Sequence, residues 1–165
     1  GDPAGMTMLA WMIGDGRGTT RDDAAALDWL RRAAELGLPL ALNNLGVMHR
    51  DGRATPRDPA RARQLFERAA NGGDAQGMMN LAYALARGEG GPAEPGPAAD
   101  WLLAALVSGN SAVVDHVLAQ LPTLSAATVR TVQLALQRAG FDPGGIDGRA
   151  GPRTLAAARD WASRP

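Results

Sequence analysis

The chain repeats itself with a period of 36 residues, and nothing else constrains its fold as tightly. Leu9, Leu45 and Leu81 are in register, as are Gly16, Gly52 and Gly88, and Ala26, Ala62 and Ala98. Gly1, Gly37, Gly73 and Gly109 keep the same spacing, and so does the acidic series Asp22, Asp58 and Glu94. Three full units follow, roughly 4–39, 40–75 and 76–111.

Each unit predicts two helices. Helix A is "MTMLAWMIGDG", "LNNLGVMHRDG" or "MMNLAYALARG", closed by a glycine where a left-handed backbone costs little. Helix B starts from a cap: Asp22 in the first unit, and Asp58 followed by Pro59 in the second. Leu27, Leu30, Ala33 and Ala34 then recur at helical spacing. "GEGGPAEPGPAAD" precedes the third helix B and predicts a distorted or mobile connection there. Ala10, Gly46 and Ala82 share one register position, and their small side chains suit close helix approach.

A helix pair with a single apolar stripe cannot bury that stripe alone, whereas stacked pairs share a continuous core. The expected fold is therefore all-α: an α-solenoid of three helix-pair repeats. "AVVDHVLAQL" (112–121) stands where a fourth helix A would, with no patterned helix B after it, and reads as a capping helix. The opening "GDPA" matches "GLPL", "GDAQ" and "GNSA" later on, so it reads as the end of a preceding unit in a longer chain.

The period is lost beyond residue 121, which divides the sequence into 1–121 and 122–165. Pro122 stops the capping helix. Ser125 is a good N-cap, and Leu124 and Val129 sit at staple spacing. Val129, Val132, Gln133 and Leu136 form the apolar side of a helix closed by Gly140. The loop "GFDPGGIDGRAGPRT" leads to a last helix from Pro152 to about Ala162, with Leu155, Ala158 and Trp161 on one side. Glycine-rich stretches here and at "GDGRG" lack the preceding strand and the Lys-Ser/Thr ending of a phosphate loop.

Composition narrows the chemistry. Formal net charge is zero, which argues against general attraction to nucleic acid. The chain has neither cysteine nor lysine, so thiolate and amine nucleophiles are absent. Neither histidine has ligand partners at metal-binding spacing, so no metal and no cofactor is expected. His49 falls where helix A should face its neighbour and is expected to be packed and half-buried. His116 and Asp115 are consecutive and do not face each other on a helix.

A binding surface is predicted on the concave side of the solenoid. At about 100° per residue, Thr7, Trp11 and Gly14 lie opposite Leu9 and Ile13, which are expected to face the core. The register equivalents are Asn43, Val47 and Arg50, then Met79, Tyr83 and Ala86, with Asn44 and Asn80 flanking. An exposed Trp and Tyr beside Asn and Arg suit capture of a protein or peptide partner. The alternative is that Trp11 packs against a preceding repeat.

The pattern Leu45-Gly46, Gly52, Asp58, Ala62, Ala69-Ala70, Gly73 resembles the Sel-one-like repeats, relatives of the tetratricopeptide repeats. The usual tyrosine after Leu-Gly is here Ile13, His49 or Leu85. The resemblance covers about 1–121 and implies a protein-interaction scaffold without chemistry of its own.

Residues Val129, Val132, Gln133, Leu136, Gly140, Phe141, Ile146, Asp147, Gly148, Gly151, Thr154 and Ala157 fall on the pattern of the peptidoglycan-binding-domain family. That resemblance, over about 123–163, implies a small three-helix module on the cell wall, with Asp142, Asp147, Gly148, Arg149, Arg153 and Thr154 as candidate contacts. Asp147 is open to two readings, a loop-stabilising turn or a ligand contact. Ala150 replaces the family's aromatic between the glycines, and Trp161-Ala162 replaces its closing aromatic-Gln. The domain order resembles the periplasmic region of PodJ-type polar localisation factors. It implies a non-catalytic periplasmic scaffold on a single-span inner-membrane protein, with peptidoglycan as a second partner. Two alternatives stay open: the targeting or regulatory region of a larger enzyme, such as a wall hydrolase or caspase-like protease, or a tail that only seals the solenoid.

Overall fold

The structure is a computed structural model, and it describes residues 1–164. Helices keep the 36-residue register of the sequence. The A helices are α1 (Pro3–Asp15), α3 (Pro39–Asp51) and α5 (Ala75–Arg87); the B helices are α2 (Asp23–Glu35), α4 (Pro59–Asn71) and α6 (Pro95–Leu106). Then come α7 (Ser111–Gln120), a 3₁₀ turn (Leu121–Thr123), α8 (Ala126–Arg138) and α9 (Pro152–Ala162). Among the described residues there is no strand, and no helix is long and apolar enough to cross a membrane.

The ends of the helices follow from single residues. Asp22 accepts from the backbone N–H groups of Ala24 and Ala25, Asp58 from that of Arg61, and Ser125 from that of Thr128. Gly16, Gly52 and Gly88 close the A helices at φ of 72°, 71° and 69°, a conformation that any side chain would strain. The connection before α6 is not distorted, despite its glycines and prolines. Glu94 donates its N–H to the Leu85 carbonyl at 2.8 Å, as Asp58 does to His49 at 2.8 Å and Asp22 to Ile13 at 3.1 Å. One backbone bond fixes the loop in all three repeats, whatever its composition.

The chain divides into two compact units, Gly1–Asn80 and Leu81–Pro165, a division that falls inside α5. In the first unit, α1 packs on α2, α2 on α3, and α3 on α4. Their shared core holds Leu27, Leu30, Leu42, Leu45, Met48 and Leu65, with Ile13 and Trp29 half-buried against it. The small register position does what its size predicts. A Cβ on Gly46 would lie 2.6 Å from Cε1 of Phe66, which has Leu30 and Leu102 as its register equivalents. The second repeat therefore pairs Gly with Phe where the first and third carry Ala and Leu.

In the second unit, α8 and α9 pack on α6, and α9 also on α7. Leu102, Leu106, Val113, Val117, Leu121, Val129, Val132 and Leu136 are buried there. The tail is fastened to the last repeat by Trp161, whose Nε1–H donates to the Leu103 carbonyl at 3.0 Å. The Trp161 ring meets Phe141 edge-on at 5.8 Å.

Candidate functional site

A cleft of about 150 Å³ opens in the first unit between α1 and α3. Trp11 and Gly14 form one wall, Asn44 and Val47 the other, and Arg53 lies across one end. Trp11 is 46% exposed, and the Arg17 guanidinium stacks 4.1 Å from its ring centroid. Arg53 donates from Nη2 to Asp23 at 2.5 Å and to the Gly14 carbonyl at 3.4 Å. Its Nε is buried without a partner among the described residues. Asp23 also accepts from Arg21 at 2.8 Å, and the hydrogen bonds from Arg21 and then Arg53 hold its carboxyl below the usual carboxylate range. An exposed aromatic, a side-chain amide and an anchored guanidinium thus face one groove, a set suited to a peptide backbone and its side chains.

Four residues of the predicted stripe and its flank, Trp11, Gly14, Asn44 and Val47, line this cleft. The others do not. Asn43, expected at the surface, is 1% exposed; it donates to Asn44 at 3.4 Å and accepts from Asn80 at 2.8 Å. Thr7 is buried, its hydroxyl donating to the Pro3 carbonyl at 2.8 Å. Helix A is covered on the flank facing the next A helix as well as on the face toward helix B. The free stripe is therefore narrower than a two-sided helical wheel supposes. Met79 and Asn80 are half-buried, and so is Arg50, which is paired with Asp51 at 2.7 Å.

Tyr83 corrects a second expectation: it is 7% exposed, with its ring edge-on to His116 at 5.8 Å. Its hydroxyl has no partner among the described residues, and burial pushes its pKa up to about 12. Ala86 on the same helix is buried as well. Leu9 errs the other way, at 37% exposed, although Leu45 and Leu81 at the same register are buried. His49 is half-buried as expected.

In the second unit, a hollow of about 210 Å³ gathers Asp147, Arg149, Arg153 and Thr154 beside Pro143 and Gly151. Its organiser is Gln133, which sequence reasoning placed on an apolar helix face and on the family pattern but not among the candidate contacts. The Gln133 Nε2 group reaches Asp147 Oδ1 at 3.1 Å, the Arg149 carbonyl at 3.0 Å and Thr154 Oγ1 at 3.1 Å. Its Oε1 accepts from the Gly148 N–H at 2.9 Å, and Thr154 donates to the Pro143 carbonyl at 2.9 Å. Asp147 also accepts from the Arg149 N–H at 2.9 Å. These bonds, with the Arg149 N–H first, hold its carboxyl below the usual range. The loop residues thus satisfy one another. Asp142 pairs with Arg153 and accepts from the Gly144 N–H at 3.0 Å, at an exposed rim. A polar residue at a helix position aimed at a Gly-rich loop was the available signal for Gln133.

No group of three or more His, Asp or Glu side chains is placed to hold a metal among the described residues. Helix pairs in fixed register, sharing one core within the first unit, define an α-solenoid repeat protein. The Sel1 repeat pattern matches residues 3–38, 39–74 and 75–106, well over half of the chain, and the protein belongs to the Sel1 repeat family. A Sel1 repeat protein from Oxalobacter formigenes is similar at 34% identity, over 70% of this chain and 34% of its own, with a TM-score of 0.61. The protein c5321, a protective antigen of uropathogenic Escherichia coli strains displaying an SLR fold, matches 96% of this chain and 38% of its own at 23% identity and TM-score 0.66. Helicobacter pylori cysteine rich protein B matches 69% of this chain and 88% of its own at 19% identity and TM-score 0.58. The last two show the fold alone, and the chain spans about a third of the length of the first two. No curated protein matches the chain. The fold is that of a protein-interaction scaffold.

Proposed function

We propose that the chain is a non-catalytic periplasmic scaffold that holds a protein partner in the α1–α3 cleft and contacts peptidoglycan through its C-terminal segment. The observation that carries the first half is Trp11, an exposed, Arg17-stacked aromatic at the mouth of a groove in a repeat array. Support for the second half is the family pattern over 123–163 and the hollow that collects four of its six candidate contacts. The ligand-facing groups are then the exposed side chains of Asp142, Arg149 and Arg153. Asp147, Gly148 and Thr154 build the loop.

A second reading has its own observation. The bond from Trp161 to the Leu103 carbonyl and the packing of α8 and α9 on α6 favour a tail that seals the array without touching the wall. Sedimentation with purified sacculi separates the two. Because α8 and α9 cover α6, the test uses the whole chain rather than a truncation at residue 121. The wild-type chain should co-sediment and Arg149→Ala/Arg153→Ala should not. Equal sedimentation of both chains, or of neither, refutes the wall contact. For the cleft, proteins retained from a bacterial envelope extract by the wild-type chain should be lost with Trp11→Ala. An unchanged set removes the proposal.

A further inference from the structure

The first unit carries a second hollow, of about 350 Å³, between α2, α3 and α4 and separate from the Trp11 cleft. Arg61 and Arg68 of α4 and Arg31 of α2 line it, with His49 and Leu45 of α3. Glu35 is the one acidic residue in the lining, against three arginines.

Little inside the protein uses these charges. Arg31 meets Asp28 at 3.3 Å in a widely exposed pair, which contributes little. Arg61 gives one N–H to the Gln64 side chain at 3.2 Å. Arg68 has no ion-pair partner among the described residues. His49 Nδ1 is buried and likewise without a partner. Desolvation, and then the Arg61 charge, push the pKa of His49 down; Asp58 opposes this and Arg31 adds to it.

Packing does not ask for these residues. His49 stands where the first and third repeats carry Ile13 and Leu85, and Arg61 where they carry Ala25 and Pro97. An imidazole with an unused polar atom is a poorer filler than either aliphatic side chain. Departures from a local rule without a structural return mark functional positions. Arginine forks also match the oxygens of a phosphate group better than any other side chain does.

We infer that this hollow is an oxyanion site, taking a phosphate dianion held by Arg61, Arg68 and Arg31, with His49 at its base. The volume lies within the roughly 300–1,000 Å³ of small-ligand sites and exceeds what the ion alone fills. The source is therefore either free phosphate or a phosphate monoester.

The chain has two histidines, so imidazole NMR resonances report the site directly, with His116 as an internal control. Inorganic phosphate, added at pH 7 and constant ionic strength, should shift the His49 signals saturably, raise the His49 pKa and leave His116 unmoved. O-phosphoserine forms the second arm. Tighter binding than inorganic phosphate assigns the site to an ester, and equal or weaker binding assigns it to the free ion. Arg61→Gln/Arg68→Gln changes two exposed side chains, and its fold is checked by circular dichroism. It should weaken phosphate by about tenfold or more, the value of a lost charge-assisted hydrogen bond. Shifts that never saturate, or the same affinity in the double variant, overturn the site.

Discussion

Gly46 and Phe66 form a size-matched pair, and breaking the match should cost stability in a way that a second substitution repairs. A Cβ on Gly46 would lie 2.6 and 2.8 Å from two Phe66 ring carbons and 3.3 Å from the Ala62 carbonyl oxygen. Phe66 is fully buried, so the ring has no room to withdraw. Gly46→Ala gains about 1 kcal/mol of helix propensity. It loses roughly 1–3 kcal/mol to overpacking. The net is a destabilisation of about 0–2 kcal/mol at a site where propensity alone predicts a gain.

Phe66→Leu alone leaves a void and should cost roughly 1–2 kcal/mol, less than truncation to Ala. The double variant Gly46→Ala/Phe66→Leu recreates the Ala and Leu combination of the first and third repeats. It keeps the propensity gain and sheds the clash, so it should exceed the sum of the singles by about 1–3 kcal/mol of favourable coupling. Urea denaturation followed by far-ultraviolet circular dichroism measures all four corners of the cycle. Additivity within about 0.5 kcal/mol, or a Gly46→Ala chain stabilised by its full propensity gain of about 1 kcal/mol, would show that ring and backbone do not meet as described.

Three further outcomes follow from single residues. The chain has one tyrosine, so absorbance at high pH should give a pKa for Tyr83 of about 12 in the folded protein. In denaturant it should return to about 10. The folded pKa lies above the unfolded one, so this contribution to stability is complete below about pH 10 and lost as pH rises toward the folded value. A folded titration near the unperturbed value would refute the burial. Gln133→Leu strands the Gly148 N–H and the acceptors of the 143–154 loop, and should cost about 1–3 kcal/mol by urea denaturation. A neutral result would remove Gln133 as the loop organiser. Trp161→Phe keeps an aromatic ring beside Phe141 but deletes the bond to Leu103, and should cost about 0.5–1.5 kcal/mol in the same assay.

Repeat register, helix ends and capping residues were legible because they are local. Asp22, Asp58 and Ser125 act on N–H groups two or three residues away, and closing glycines need only their own φ. The third connection misled because its composition advertises distortion, while the backbone bond from Glu94 back to Leu85, shared with the other two repeats, decides the geometry. Asn43 and Tyr83 misled for a related reason. A helical wheel knows one buried side, but helix A in this array is covered on two, and the second is set by which helix comes to lie alongside.

The amino-acid sequence by itself determined that this protein is a run of helix pairs, because period, caps and apolar spacing act within a turn or two of chain. Tertiary structure alone decided which polar residues are free to bind. It buried Asn43 in an amide network, left Trp11 open over a cleft, and spent Gln133, Asp147 and Thr154 on holding a loop. Exposure and hydrogen-bond satisfaction depend on neighbours distant in sequence, and no local pattern encodes them.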